Sequence, residues 1–177
     1  MRPPQLAYVV ALVVGCGGGL PAQRSPVATN APYRAGIDVE DYALSLALPE
    51  RGSIIRGDAL LTVRRTARVD TLVLDLIALT VDSLLLDGRK ASFEQTNGHV
   101  AVPLPAGASG RFRVEVAYRG AVQDGLIIRS DVAGRWTGFG DNWPNRARYW
   151  IPSVDDPSDK ATVSWTVTAP ASRTAGS

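Results

Sequence analysis

The sequence predicts an all-β fold, an antiparallel two-sheet sandwich. Three observations carry that prediction. Apolar residues alternate with a period of two in segment after segment, hairpin-type turn signals separate those segments, and no stripe of helical period competes with them.

In chain order, the first alternating set is Tyr42, Leu44, Leu46 and Leu48, the second Ala59, Leu61 and Val63, and the third Leu72, Leu74 and Leu76. A period of two turns each set to one face of a strand. The pattern returns in Val100, Val102 and Leu104, and most clearly in RFRVEVAY, where Phe112, Val114, Val116 and Tyr118 alternate with Arg111, Arg113 and Glu115. The charged members belong in water and the others in a core. Val163, Trp165 and Val167, alternating with Thr162, Ser164 and Thr166, predict a final strand with its apolar side on the same core. Between the strands lie Pro49 to Gly52, Arg56-Gly57-Asp58, Asp87-Gly88, Asn97-Gly98, Pro105 to Gly110 and Arg119-Gly120. Asp-Gly and Asn-Gly accept the positive φ angles of tight hairpins.

The first residues are of another kind. Arg2 precedes the apolar run Leu6 to Val14, and small residues surround Cys16. The run is shorter than the roughly twenty residues of a spanning helix and fits the core of an export signal, placed at residues 1–22. Val13-Val14-Gly15-Cys16 is similar to a bacterial lipobox, which would leave Cys16 lipidated and attached to a membrane. Leu20-Pro21-Ala22 fits an ordinary signal peptidase. Residues 23–32 read as a flexible linker and 33–177 as one β-domain. The expected location is extracytoplasmic, periplasmic or lipid-anchored.

Among 177 residues, 45% are hydrophobic and 20% charged, the balance of a globular protein. The 19 basic and 17 acidic residues are scattered, with a formal net charge of +2. No basic stripe exists to track a phosphate backbone, so nucleic acid is not an expected partner. Cys16 is the single cysteine, which excludes an internal disulfide.

Around Arg135 the chemistry changes. Trp136, Trp143 and Trp150 fall close together among Pro144, Pro152 and Pro157. Each proline removes a ladder donor, so 141–160 should be mostly irregular. A guanidinium fork suits such a crossing, and Arg148 with Asp155 or Asp156 is the natural pair. Asp155, Asp156 and Asp159 lack the ligand alternation of a calcium loop, and pairing with Arg146, Arg148 and Lys160 is the expected role of the trio. His99, the single histidine, sits beside an Asn-Gly turn and reads as a solvated hairpin residue.

The run from Arg148 through Pro152, Asp155 and Pro157 to Lys160-Ala161 resembles the "A-R-x-x-x-P-x-x-D-x-P-x-x-K-A" signature of the aminopeptidase N family of zinc metallopeptidases, which includes leukotriene hydrolase-like members. A looser likeness covers Leu79, Val81, Leu84 and Gly88. The resemblance implies a saddle-shaped N-terminal β-domain that packs on a separate catalytic domain. That domain would hold the zinc and remove N-terminal residues from peptide substrates. It also implies that the parts carrying Gly-x-Met-Glu-Asn and H-E-x-x-H are missing here, so this chain looks truncated, has no catalytic residue or cofactor of its own, and is inactive alone.

The family places a Gln or Glu for the substrate's free amino group where an ungapped count puts Trp143. Indole cannot accept a hydrogen bond from an ammonium. Asp141 or Asn142, or a cation–π contact from Trp143, are the substitutes, and packing of Trp143 with turn capping by Asp141 is the structural alternative. The competing function is a non-enzymatic sandwich that binds a peptide or sugar on an exposed surface of Trp136, Trp143 and Trp150.

Overall fold

A computed structural model describes residues 33–96, 98–106, 110–130, 132 and 136–169. The export signal, its cleavage sites, Cys16 and the linker lie outside the described residues. Two long strands, β1 (Ile37–Ala47) and β2 (Ile54–Arg65), open the domain, followed by β3 (Thr71–Leu76) and β4 (Thr80–Leu86). Short strands β5 (Arg89–Lys90) and β6 (Glu94–Thr96) precede β7 (Gly98–Pro103), the long β8 (Gly110–Ala121), β9 (Leu126–Ser130), β10 (Trp136–Gly140) and β11 (Thr162–Thr168).

Six strands form one sheet in the order β11-β1-β2-β8-β4-β5, and β3-β7-β6 form a second. The predicted alternation builds the layer between them. Tyr42 pairs with Leu61 and Leu61 with Val114, while Leu44 pairs with Ala59 and Ala59 with Val116. All of these face inward, and Leu72, Leu74, Leu76, Val100 and Val102 of the second sheet join the same buried cluster. Each fully buried aliphatic side chain contributes about 1.5–3 kcal/mol, which is what holds the sheets face to face. The Gln95 side chain ties their edges: its amide accepts from the N–H of Val81 (3.0 Å) and donates to the carbonyl of Leu79 (2.6 Å).

Asp87 and Gly88 both take positive φ, 49° and 74°, as the two-residue hairpin joining β4 to β5 requires. Gly57 has a different reason. It lies opposite Tyr118, and a Cβ there would come within 2.2 Å of the tyrosine ring, which is laid across the bare backbone.

Two features depart from the predicted sandwich. A two-stranded ribbon, β9 with β10, stands as a third sheet. The last strand, β11, pairs with β1 in parallel, whereas every other pairing among the described residues is antiparallel. Parallel neighbours need a long crossover, and the proline-rich segment 141–160 provides its last part. As expected, that segment is irregular apart from a single 3-10 turn at Ala147–Tyr149 and an isolated bridge between Asp75 and Ser153.

Candidate functional site

The crossing loop is organised by side chains that satisfy its backbone. Arg148 donates Nε to Oδ2 of Asp155 (2.9 Å) and a terminal nitrogen to the Asp155 carbonyl (2.8 Å), while its own N–H reaches the same carboxylate at 3.1 Å. Of the two candidate partners, Asp155 is the one used. Burial opposes the Arg148 charge, yet the Asp155 hydrogen bond and the charges of Asp75 and Asp155 outweigh it and raise the pKa.

Beneath this pair lies Asp75, a fully buried carboxylate on β3. Its Oδ1 accepts from Arg34 at 2.6 Å and from the Tyr33 hydroxyl at 3.3 Å, and its Oδ2 accepts the N–H of Asp155 at 3.1 Å. The backbone of Asp75 exchanges hydrogen bonds with Ser153 in both directions, at 2.7 and 3.2 Å. On the other side, the Tyr42 hydroxyl accepts the N–H of Val154 at 3.0 Å, and burial pushes that phenol's pKa well up. Two buried side chains therefore seat the motif on the sheets.

Trp150 fixes the opposite end. It is 5% exposed, donates its indole N–H to the Asn142 side-chain oxygen (2.9 Å), and stacks on Trp165 with centroids 5.2 Å apart and ring planes at 16°. Gly125 makes room for it: φ is +75°, and a Cβ would meet the Arg146 carbonyl at 2.1 Å and the Trp150 ring at 2.9 Å. Arg146 bridges Asp124 (Nε to each carboxylate oxygen, 3.0 Å) and Asp141 (2.6 Å), and the Arg146 hydrogen bond is the main cause holding the Asp124 pKa below its ordinary value.

These contacts sit within a known family. A model of the peptidase M1 N-terminal domain matches residues 39–177. This chain belongs to that family. Among solved structures, an M1 zinc metallopeptidase from Deinococcus radiodurans is similar at 31% identity and a TM-score of 0.67, over 78% of this chain and 34% of that one. A two-domain M1 zinc metallopeptidase variant bound to L-tryptophan gives 33% identity and a TM-score of 0.66, over 78% and 34% of the two chains. Yeast LTA4 hydrolase gives 25% identity and a TM-score of 0.67, over 76% and 23%. No curated protein sequence matched. The M1 domain described here thus spans about a third of the Deinococcus enzyme's length.

Within this M1 domain the motif residues Arg148, Pro152 and Asp155 converge, with Pro152 buried and Arg148 and Asp155 partly so, while Pro157 and Lys160 are exposed. Asp141, Asn142 and Trp143, the residues expected near a substrate's amino group, are distributed differently. Asp141 is engaged by Arg146, Asn142 accepts from Trp150, and Trp143, 76% exposed, projects into solvent rather than packing under the loop.

The acidic trio pairs as expected only at Asp155. Asp155 takes Arg148, Asp156 accepts from the Ser158 hydroxyl and N–H, and Asp159 is held by the backbone of Val39, while Arg146 turns to Asp124 and Asp141. The reason is placement: Arg146 lies before the 3-10 turn, facing the ribbon rather than the trio. His99 is half exposed and brings Nε2 to 3.4 Å from Asp75. Among the described residues no group of three or more His, Cys, Asp or Glu side chains could hold a metal ion, so the zinc of the family does not fit this chain's own described residues.

The predicted core role of the last strand is corrected. Val163, Trp165 and Val167 are 51, 44 and 41% exposed. Register puts them beside Tyr42, Leu44 and Leu46, on the core face, but the second sheet does not extend over β11. Nor do Trp136, Trp143 and Trp150 form one exposed surface, because Trp150 is buried. Sequence reasoning missed Asp75, whose signal was an acid set between leucines in TLVLDL, and Asp124, which had none.

Proposed function

We propose that this chain serves as the N-terminal domain of an exported zinc metallo-aminopeptidase that removes N-terminal residues from peptides. The observation that carries this reading is the Arg148–Asp155 clamp seated on Asp75 and Tyr42, within an M1 N-terminal domain. The domain's contribution is structural: it presents a rigid loop, with Asn142 and Trp143 at its rim, to a catalytic domain that brings the metal. On this reading the chain by itself is inactive, which is supported by its having one histidine, His99, where a catalytic zinc takes about three protein ligands. Expression of the full 177-residue chain, alone and joined ahead of the remainder of the Deinococcus enzyme, tests this. Hydrolysis of an aminoacyl-p-nitroanilide only by the joined protein supports the reading. Turnover by the chain alone, or none by a folded, zinc-loaded joined protein, refutes it.

Export rests on Arg2, the run Leu6 to Val14 and the lipobox-like Val13 to Cys16. In a bacterial host, labelled fatty acid enters the wild-type chain and not Cys16→Ser if Cys16 is the lipid anchor. Export without label points instead to cleavage after Ala22.

A further inference from the structure

The charged side chains of this domain are unevenly placed. The start of β1, the end of β2 with the turn after it, the β4–β5 hairpin and the start of β8 meet at one end of the six-stranded sheet, where Ile37 pairs with Arg65, Arg65 with Gly110 and Leu86 with Val114. Residues 37–41, 62–70, 86–90 and 110–113, which make that end, include seven basic and five acidic side chains, against eight and eleven in the rest of the described residues. Charge pairing is also incomplete there. Arg64 and Arg111 meet Asp38 and Glu40, and Arg65 is buried beside Asp70. Arg68, Arg89, Lys90 and Arg113 are exposed, and none has a carboxylate within ion-pair distance among the described residues. Asp87 stands next to Arg113, but its carboxylate accepts the Arg113 backbone N–H at 2.8 Å rather than the guanidinium. Protection of a sheet edge accounts for Arg89 and Lys90 on β5. It does not account for Arg113, on a strand with neighbours on both sides, or for Arg68, in the β2–β3 connection. Between Arg89 and Lys90 on one side and Pro103 and Pro105 on the other lies a groove of ≈ 740 Å3, with Leu86 and Leu104 also in its lining.

We infer that this end of the domain is a docking surface for a bilayer containing anionic phospholipid, with lipid phosphate held at the groove by Arg89 and Lys90 and at the adjoining surface by Arg68 and Arg113. Two observations choose this occupant. The first is charge: each Lys or Arg brought near an anionic bilayer strengthens binding about fivefold. The acidic excess over the rest of the domain is repelled, so the same field that attracts the domain turns this end toward the lipid. The second is the lipobox-like Cys16. Sixteen residues separate it from Tyr33 and span at most about 60 Å, so a lipid on Cys16 keeps the domain within reach of a bilayer. The first strand begins, at Ile37, on the basic end. A free phosphate calls for cations that converge on one point, whereas these four are spread over a connection, a hairpin and a central strand, as a plane of headgroups requires. The inference rests on the proposed lipid anchor for the location of the bilayer.

The test is co-sedimentation of the full 177-residue chain with vesicles of phosphatidylcholine, alone or with about 30% phosphatidylglycerol. Attachment through the apolar run Leu6 to Val14 acts on both vesicle types alike and cancels in the comparison. Expected is at least about tenfold stronger binding to the anionic vesicles at about 0.1 M salt, and loss of that preference at about 0.5 M. Arg89→Glu with Lys90→Glu lowers the anionic binding at least about tenfold. Arg51→Glu with Arg56→Glu, an equal change of charge at the opposite end of the sheet, keeps most of it. Circular dichroism establishes that both variants fold, and Arg68→Gln with Arg113→Gln replaces the first pair if it does not. Equal binding to the two vesicle types, or equal losses from the two ends, overturns the inference. Suppression of binding by inorganic phosphate at constant ionic strength assigns the groove to a free anion and overturns it as well. A preference for anionic vesicles without fatty-acid label on Cys16 leaves the surface standing and removes the anchor. Label without the preference does the reverse.

Discussion

Trp150 and Trp165 stack at 5.2 Å, so one wall of the crossing loop's anchor is provided by a side chain that is itself 44% exposed. The stack joins the motif loop to the edge strand. Trp150→Ala should cost about 3–5 kcal/mol, because it empties a buried indole site and leaves the Asn142 oxygen without its donor. Trp165→Ala should cost far less, about 1 kcal/mol, since much of that ring already meets water. Urea unfolding of the two variants checks the asymmetry.

Asp75 is a buried charge with several partners, and removing it strands them. Asp75→Ala should destabilise by about 3–5 kcal/mol, through an uncompensated Arg34 and an unsatisfied Asp155 N–H. Asp75→Asn, which keeps an acceptor for that N–H, should recover part of the loss. A double-mutant cycle with Arg34→Met, followed by denaturant titration, gives the coupling.

Arg148→Lys tests whether the fork matters or only the charge. Lysine cannot reach the Asp155 carboxylate and carbonyl together, and a loss of about 1–3 kcal/mol is expected despite the retained charge. Thermal melts in which the wild-type chain and Arg148→Lys are equally stable would show that charge alone suffices.

Asp159 has its pKa pushed up to about 6, first by burial, then by the nearby Asp38 and Asp156 charges, with the Val39 N–H working the other way. The folded chain therefore holds a proton that the unfolded chain releases between pH ~4 and ~6, and stability falls as pH rises through that window. Discounted for partial exposure, the loss is about 1–2 kcal/mol. Asp159→Asn should raise Tm by about 3–6 °C at a pH of about 7.5 and leave it unchanged at a pH of about 3.5, as differential scanning calorimetry would record.

Alternation made the strands legible, because the sets built on Leu61, Leu74 and Val114 need only a period of two and a partner sheet. The same rule misplaced Trp165: period two says which residues share a face, not whether another layer reaches it. Arg148 was legible as a fork for Asp155 or Asp156, since its partner lies within one loop. Asp124, which holds Arg146, comes from a strand connection far away in sequence, and a lone acid there carries no pattern. Asp75 broke the apolar rhythm of its strand, but that break reads equally well as a solvated residue until Arg34 and Asp155 are seen to meet it.

The parallel return of β11 to β1 has a consequence for biosynthesis. Between Ala47, the end of β1, and Thr168, the end of its neighbour, about 120 residues must leave the ribosome, which at about 5–20 residues per second takes on the order of 6–24 s. The β2 side of β1 can be occupied early, but its other side waits for the last strand. Nascent chains of this protein therefore carry an open strand until those residues have emerged, and those stalled before residue 162 are the ones a chaperone that captures extended apolar segments should retain.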